Sequence, residues 1–194
     1  MQARVLVGRM SYAEYAASEA AAEARHEYLR GEVYAMAGGT LEHAALAAAL
    51  AREVGVALAG RPCRTFSADA RVRIEATDMT TYPDLSVVCG ELVRAAGDER
   101  AIVNPIVIFE VLSDSTEGYD RGAKASHYRH IPSLQEYVLV SQNEHHVEVQ
   151  RRNASGHWEI HEFGIGDQVR LESLDVALSL DALYRNPLAG VGDS

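Results

Sequence analysis

The chain has 194 residues, of which 47% are hydrophobic and 24% charged, and its formal net charge at pH 7 is −10. This composition excludes a disordered chain, and no apolar run approaches the ~20 residues that a membrane-spanning helix needs. The negative charge argues against a protein that coats nucleic acid non-specifically, because such binding depends on cations that neutralise phosphates. The net negative charge is still compatible with a local cationic groove or with an acidic site filled by metal ions.

We expect a single domain over residues 1–194, with its core at about 11–185, because a core of useful size can be buried at this length. We expect no secretory signal, since the apolar centre of the first ten residues is too short. The two cysteines, Cys63 and Cys89, lack metal-ligand spacing, and we expect both to be reduced, buried thiols. Together these features predict a cytoplasmic protein.

The N-terminal part of the chain predicts a helix, a hairpin and a longer helix, in that order. The first helix has the sequence SYAEYAASEAAAEA, and Ser11 stands three residues before a glutamate, as in a capping box. The hairpin has the sequence HEYLRGEVYAMAGG and turns at Arg30 and Gly31. The longer helix begins at Thr40 and ends at Gly60, since these residue types are favoured at the two ends of a helix.

The remainder predicts a mixed sheet. We assign strands to the stretches CRTFSADARVRIEA and TYPDLSVVCG, and buried central strands to the apolar runs NPIVIFEVLS and QEYVLVSQ. The helix YDRGAKASHYRHI separates these two runs, so we expect a right-handed crossover between parallel strands. An antiparallel hairpin at the sheet edge follows in HHVEVQRR and GHWEIHEF, and then a strand or short helix in LDVALSLDALY. The fold class is therefore α/β or α+β, with a mixed central sheet flanked by helices.

Two carboxylates stand where an apolar strand makes a charge costly. Glu110 follows four apolar residues of a central strand, and Asp84 directly precedes another apolar strand. Neighbouring strands would place both at one sheet edge, where hard oxygen ligands suit Mg²⁺ or Mn²⁺. Two simpler interpretations remain open: Asp84 follows a proline, as is common in turns, and Glu110 could pair with a core arginine such as Arg71.

Lys124 is the only lysine among 18 cationic Lys and Arg residues. Asp120 and Tyr128 lie four residues before and after it, so all three share one face of the predicted helix. A helix packed beside the two acidic strands would aim this face at the carboxylates, where a compact ammonium could orient a nucleophile or stabilise developing charge. The alternative is a surface ion pair between Asp120 and Lys124, worth only ~0.3–0.5 kcal/mol.

Three further side chains are weaker candidates for the site. Arg71 and Arg73 share one face of an extended segment, where they could contact phosphate or pair with site carboxylates. His43 lies near the start of the longer helix, at the periphery of the expected site, and we favour a capping or packing role for it.

Several separate blocks resemble one known family. The blocks TYPDLSVV, PIVIFEVLSDST and YDRGAKASHYRHIPSLQEYVLV, with the hairpin after them, resemble the Uma-type restriction-endonuclease family of the PD-(D/E)XK nuclease superfamily. The N-terminal block RHEYLRGEVYAMAGGTLEHAALAAAL also fits, and the resemblance extends from Tyr12 to Trp158. It implies a restriction-endonuclease-like mixed sheet with an acidic Mg²⁺ site.

The resemblance also implies roles for individual residues. Asp84 corresponds to the motif aspartate and Glu110 to the second acidic ligand, and the resemblance implies the backbone carbonyl of Val111 as a third ligand. The lysine that usually follows two residues after this glutamate is replaced by Leu112. Lys124 matches the displaced lysine that this family supplies from the next helix.

Additional positions match the superfamily less specifically. Glu27, after the first helix, matches an extra acidic position that could bind a second metal ion. Asp120 and Tyr128 match the family's helix pattern without a defined role.

The resemblance implies a Mg²⁺- or Mn²⁺-dependent endonuclease that hydrolyses phosphodiester bonds in DNA, acting as a homodimer so that two sites address two strands. Two alternatives remain. The net charge of −10 and the missing lysine of the motif favour a non-catalytic binding or regulatory module with the nuclease fold. The acidic surface also suits a metal-dependent phosphodiesterase that acts on another nucleic acid or a nucleotide.

Overall fold

Two large β-sheets, of seven and six strands, form the fold in the computed structural model, which describes residues 3–5, 9–36 and 38–185. A small two-stranded sheet and five α-helices accompany them within these residues. The expected mixed sheet with helices and an antiparallel edge hairpin is confirmed. The division into two large sheets was not foreseen.

The seven-stranded sheet is built around the N-terminal hairpin. In spatial order its strands are β1 (Ala3–Val5), β3 (Glu32–Ala35), β2 (His26–Leu29), β6 (Met79–Thr81), β5 (Arg71–Ile74), β9 (Asp98–Ile102) and β8 (Arg94–Ala95). The hairpin between β2 and β3 turns at Arg30 and Gly31 with φ of 49° and 90°, a left-handed conformation that glycine adopts without steric cost. The predicted turn is therefore confirmed.

The six-stranded sheet contains the predicted crossover. In spatial order its strands are β13 (Trp158–Phe163), β12 (Val147–Arg152), β11 (Glu136–Ser141), β10 (Val107–Leu112), β7 (Leu85–Cys89) and β4 (Cys63–Ser67). Strands β10 and β11 are parallel, and the other neighbours are antiparallel. The remaining pair, β14 (Gln168–Leu171) and β15 (Val176–Ser179), forms the small sheet.

The helices begin at the expected caps. They are α1 (Tyr12–Ala21), α2 (Leu41–Ala57), α3 (Glu117–Tyr119), α4 (Ala125–Tyr128) and α5 (Leu180–Leu183). Ser11 forms the predicted capping box with Glu14, and the Thr40 hydroxyl accepts a hydrogen bond from the His43 N–H. A π-helical turn, Asp120–Lys124, joins α3 to α4, so the predicted helix between β10 and β11 is continuous but irregular.

Strand β10 lies between two apolar clusters, because alternate residues of a strand point to opposite faces. Val107, Phe109 and Val111 pack in a cluster with residues of α2 and α5, whereas Ile108 and Leu112 pack in a second cluster with residues of α4. All six residues of β10 are buried, as the apolar run predicts. Glu110 shares the face of Ile108 and Leu112 and therefore points towards α4.

The expectation of reduced thiols is wrong. Cys63 and Cys89 lie directly opposite each other on β4 and β7 with Cα atoms 4.0 Å apart, and they form a disulfide. Sequence spacing did not reveal this pair because its two members meet only when the strands pair. No helix in the described part of the chain is long and apolar enough to cross a membrane.

Candidate active site

Strands β7 and β10 bring Asp84 and Glu110 together. Their antiparallel register pairs Leu85 with Phe109, so the next position places Asp84 across from Glu110. The Val111 N–H donates a 2.7 Å hydrogen bond to Asp84 Oδ2, which fixes this carboxylate at the end of β10. Asp84 therefore does not act as a simple turn residue, and the two predicted acidic positions lie at one edge of the sheet.

The irregular helix between β10 and β11 places the lysine on the same site. Lys124 Nζ lies 2.7 Å from Glu110 Oε1 and 3.5 Å from Asp120 Oδ1. Only 5% of Lys124 and 3% of Asp120 are exposed, so the pair is not a surface ion pair. Tyr128 O–H donates a 2.7 Å hydrogen bond to Glu110 Oε1. The π turn keeps the expected side chains on the sheet-facing side of the helix, and such turns are frequent at functional sites.

Glu27 joins this cluster from the other large sheet. It lies on β2, 1% exposed, and its Oε1 is 3.6 Å from Lys124 Nζ. The Thr81 hydroxyl of β6 donates a hydrogen bond to Glu27, and Tyr119 O–H donates another, 3.3 Å long. The lysine therefore links an acidic group on each large sheet.

The electrostatics of the cluster follow from burial and from an excess of carboxylates. Burial raises the pKa of Glu110 well above its usual range, and the charges of Asp120 and Asp84 add to the shift while Lys124 opposes it. Burial likewise raises the pKa of Asp120. Burial alone would lower the pKa of Lys124, but Glu110, Glu27 and Asp120 outweigh it and hold this pKa well above its usual value. Lys124 therefore remains a cation at neutral pH.

His43 lies against the outer side of Asp84. Its Nε2 is 3.2 Å from Asp84 Oδ2, and this hydrogen bond raises the pKa of His43, with a smaller contribution from the Val111 carbonyl. Gly39 packs over the same ring, since a Cβ atom at this position would lie 2.9 Å from His43 Nδ1. A capping or packing role, which we favoured from the sequence, therefore does not describe all the contacts of His43, because its ring also contacts a carboxylate of the site.

Arg71 does not contact the acidic cluster. It is 2% exposed and pairs with Asp98 at 2.7 Å, while Arg73 pairs with Asp78 at 2.6 Å. Val72 packs in the apolar cluster beneath the site, so strand alternation sends both neighbouring arginines to the opposite face. The suggested pairing of Arg71 with Glu110 is thus wrong. The two guanidinium groups instead lie over tyrosine rings of α1, Arg71 5.9 Å from Tyr15 and Arg73 3.9 Å from Tyr12.

Tyrosines and a threonine complete the site, and sequence reasoning missed them. The hydroxyls of Tyr119 and Thr81 donate hydrogen bonds to the Glu27 carboxylate. The Tyr137 O–H donates a 3.1 Å hydrogen bond to the Asp120 carbonyl. Burial raises the pKa of the Tyr119 and Tyr137 hydroxyls, which stay protonated donors at neutral pH. Two features of the sequence could have identified these residues as part of the site. Tyr119 directly precedes Asp120, and Thr81 lies three residues before Asp84.

The carboxylates of the cluster are hard oxygen donors, the type of ligand that Mg²⁺ takes. Within residues 3–5, 9–36 and 38–185, no three His, Cys, Asp or Glu side chains are arranged to hold a metal ion together. Mg²⁺, however, usually takes only one or two protein carboxylates and keeps several waters. Three carboxylates lie 2.7 to 3.6 Å from one lysine, and Asp84 adds a fourth beside Glu110, so the acidic groups outnumber the cation. Asp84 and Glu110, with the Val111 carbonyl beside them, fit that requirement.

Comparison with known proteins places this chain among relatives of similar length. A family model described as "Uma2: Putative restriction endonuclease" matches residues 12–183. The "Uncharacterized protein slr1290" of Synechocystis sp. is 34% identical over 177 residues, which cover 91% of this chain and 92% of that protein. The "Uncharacterized protein sll1609" of the same organism is 32% identical over 163 residues, covering 84% and 92%.

A solved structure has a similar fold. The crystal structure of "a putative nuclease belonging to DUF820" from Anabaena variabilis superposes with a TM-score of 0.69 at 21% sequence identity. The match covers 84% of this chain and 91% of that one. The two chains therefore share a fold across most of their length.

Proposed function

The chain belongs to the Uma2 family, described as "Putative restriction endonuclease", and from this premise we propose a Mg²⁺-dependent endonuclease that hydrolyses phosphodiester bonds in DNA. The observation that carries this proposal is the buried contact of 2.7 Å between Lys124 Nζ and Glu110 Oε1, beside Asp84. A lysine next to paired strand carboxylates combines oxygen ligands for a metal ion with a fixed positive charge for the phosphate, and metal-dependent phosphodiester hydrolysis can use both.

Asp84, Glu110 and the Val111 carbonyl would hold the ion, which Mn²⁺ could replace. When bound, Mg²⁺ lowers the pKa of a coordinated water and neutralises charge on the scissile phosphate. Glu27, on the seven-stranded sheet, would supply an additional carboxylate if a second ion were bound. The Val111 N–H orients Asp84, since its hydrogen bond fixes one carboxylate oxygen.

Lys124 acts as a fixed cation rather than as a general base. Its pKa is held well above its usual value by Glu110, Glu27 and Asp120, so it does not give up its proton at neutral pH. Its ammonium can donate hydrogen bonds to an attacking water and to a phosphate oxygen, and its charge stabilises the negative charge that develops on the phosphate. Asp120 orients the ammonium across one turn of the helix.

Two neighbours position the acidic groups. Tyr128 donates to Glu110 Oε1 at 2.7 Å, which leaves the other oxygen of this carboxylate for a further partner. His43 contacts Asp84 from the outer side of the site. Neither residue needs to change its protonation state for these roles, because both act through hydrogen bonds that they already make.

The proposal is tested by Mg²⁺-dependent cleavage of supercoiled plasmid DNA. We expect nicking or linearisation that needs the divalent cation and is abolished by Asp84→Ala and by Lys124→Ala. Arg121→Ala is the matched control, because this residue lies in the same helical turn but points to Glu117 and Glu148. Full activity in either site variant would refute the role given to that residue.

The non-catalytic nuclease-fold module is the second candidate, and the net charge of −10 favours it. Titration calorimetry of the folded protein with Mn²⁺ separates the two functions. The proposed enzyme binds the ion near neutral pH and loses this binding in Asp84→Ala, whereas the module does not bind it. The enzyme is proposed to work as a homodimer, so that two sites reach the two strands of a duplex.

A further inference from the structure

Strand β13 forms an open edge of the six-stranded sheet. It pairs with β12 along its whole length, from Trp158 opposite Arg152 to Phe163 opposite Val147, without a bulge. No described strand pairs with its outer side. Ile160, at the middle of this edge, is 60% exposed. An edge strand presents unpaired backbone N–H and C=O groups, which are a template for another strand.

The other edges of the large sheets are shorter. Strand β8 has two residues and a register irregularity, and β1 has three residues. Strand β4 has five residues and exposes Arg64. Short strands, bulges, prolines and charged side chains, lysine above all, are the features that protect edges from pairing. The six-residue strand β13 is the longest of these edges and contains no proline, glycine or lysine, but it carries two exposed glutamates, so its pairing depends on what faces them.

The side chains of β13 are complementary to a second copy of the same strand. In an antiparallel pair centred on Ile160, this residue faces its own copy and Glu159 faces His161 of the partner strand. Within one strand His161 Nε2 already lies 3.9 Å from Glu159 Oε2, and the two side chains are 38% and 55% exposed, so the same two groups can exchange partners across the two copies. A register centred one residue earlier would instead place Glu159 opposite its own copy, and like charges directly opposite are destabilising.

We propose that a second copy of this chain docks on β13, strand against strand and centred on Ile160, so that the two six-stranded sheets become continuous. The symmetry axis of such a pair is perpendicular to the sheet, so both copies keep the same face on the same side. Cross-strand pairing from Glu110 through Leu139 and Glu148 to Glu162 shows that Ile160 shares the face of the acidic cluster. Both clusters then lie on the same side of the joined sheet.

This interface specifies the homodimer of the proposed enzyme and rests on that proposed function. Its test measures the mass of the protein in solution and does not depend on enzymatic activity. Light scattering after size-exclusion chromatography gives the mass in solution, and we expect twice the chain mass of 21.1 kDa. Ile160→Arg places like charges at the centre and halves the measured mass. Val56→Arg is the control, because Val56 is 69% exposed on α2, away from this edge, and the variant stays dimeric. A monomeric wild type, or a dimeric Ile160→Arg variant, would overturn the interface.

Cross-linking tests the register. Directly opposed residues in an antiparallel pair have Cα atoms about 4.5 to 5.5 Å apart, within the range of a disulfide. Ile160→Cys should therefore form a covalent dimer under mild oxidation. In the same register, the two copies of Glu162 lie about 13 Å apart, since four residues separate them along the strands. Equal or faster cross-linking of Glu162→Cys would contradict this pairing.

The two proposals fail separately. Mn²⁺ binding by the monomeric Ile160→Arg variant depends on the acidic cluster alone, so its loss in Asp84→Ala tests the metal site whatever the mass measurement shows. A dimer that binds no Mn²⁺ would support the proposed interface and contradict the proposed metal-dependent enzyme. A monomer that cleaves DNA would contradict only the proposed interface.

Discussion

Replacement of Lys124 by methionine is the perturbation that separates stability, cation binding and activity. Methionine keeps an unbranched side chain that is one heavy atom shorter, and it removes the charge. The change leaves Glu110, Glu27 and Asp120 facing one another without the ammonium that lies 2.7 to 3.6 Å from their oxygens. All four residues are at least nine-tenths buried, so water cannot replace the lost cation without reorganising the core.

The magnitude follows from this burial. Breaking a buried ion pair by removing one partner costs about 3–5 kcal/mol of unfolding free energy. For a chain of this size 1 kcal/mol corresponds to roughly 2–4 °C, so the melting temperature should fall by about 6–20 °C. The variant should also lose DNA cleavage. The same carboxylates, now uncompensated, should attract Mn²⁺ more strongly, so the ion should raise the melting temperature of Lys124→Met more than that of wild type.

The assay is urea and thermal unfolding followed by circular dichroism, with and without Mn²⁺. Arg121→Met is the matched control. Its side chain is 33% exposed and pairs with Glu117 and Glu148, so we expect a loss of about 1 kcal/mol or less. The reasoning is refuted if Lys124→Met unfolds like wild type or like the control. It is also refuted if Mn²⁺ stabilises the variant less than wild type.

Three further predictions concern the surroundings of the cluster. Gly39→Ala should displace the ring of His43 from Asp84 and weaken the Mn²⁺ affinity measured by calorimetry about ten-fold, because the hydrogen-bond partner of a metal ligand is lost. Gly38→Ala is the control, since its Cβ would lie in open space. This variant should bind Mn²⁺ like wild type. Tyr128→Phe should lower the unfolding free energy by about 1–3 kcal/mol in urea, because it leaves buried Glu110 without this donor; an unchanged midpoint would exclude this hydrogen bond. Reduction of the disulfide between β4 and β7, which closes a loop of 26 residues, should cost about 3–4 kcal/mol in the same assay, and free thiols in the unreduced protein would contradict it.

Local signals in the sequence predicted much of the fold. Ser11 and Thr40 mark helix starts because their side chains satisfy backbone N–H groups that have no partner inside the helix. The apolar run around Glu110 marks the central strand because only a strand covered on both faces is apolar throughout. The parallel arrangement of β10 and β11 followed from the helix between them.

The candidate site could be predicted where a residue conflicted with its surroundings. Glu110 and Lys124 were identifiable because a charge in an apolar strand, and a lone lysine among arginines, need a physical reason. The partner of Arg71 could not be identified in this way. Asp98 lies 27 residues away on a strand whose position depends on the whole sheet, and an arginine beside a candidate site fits a carboxylate or a phosphate equally well.

The disulfide and the division into two sheets depend on strand order, which local patterns do not encode. Cys63 and Cys89 meet only because β4 pairs with β7 in one register, and a shift of one residue would point one thiol to the opposite face. Glu27 enters the site for the same reason, since β2 belongs to the other sheet and reaches Lys124 through tertiary packing.

The most direct test of the proposed metal-dependent site is a crystal structure of the protein soaked with Mn²⁺, with anomalous scattering to locate the ion. The proposed function predicts a peak between the carboxylates of Asp84 and Glu110, close to the Val111 carbonyl, with the Lys124 ammonium next to it. Absence of a peak at these residues in a folded, Mn²⁺-saturated crystal, or a peak that leaves Asp84 and Glu110 uncoordinated, would contradict the proposed nuclease site.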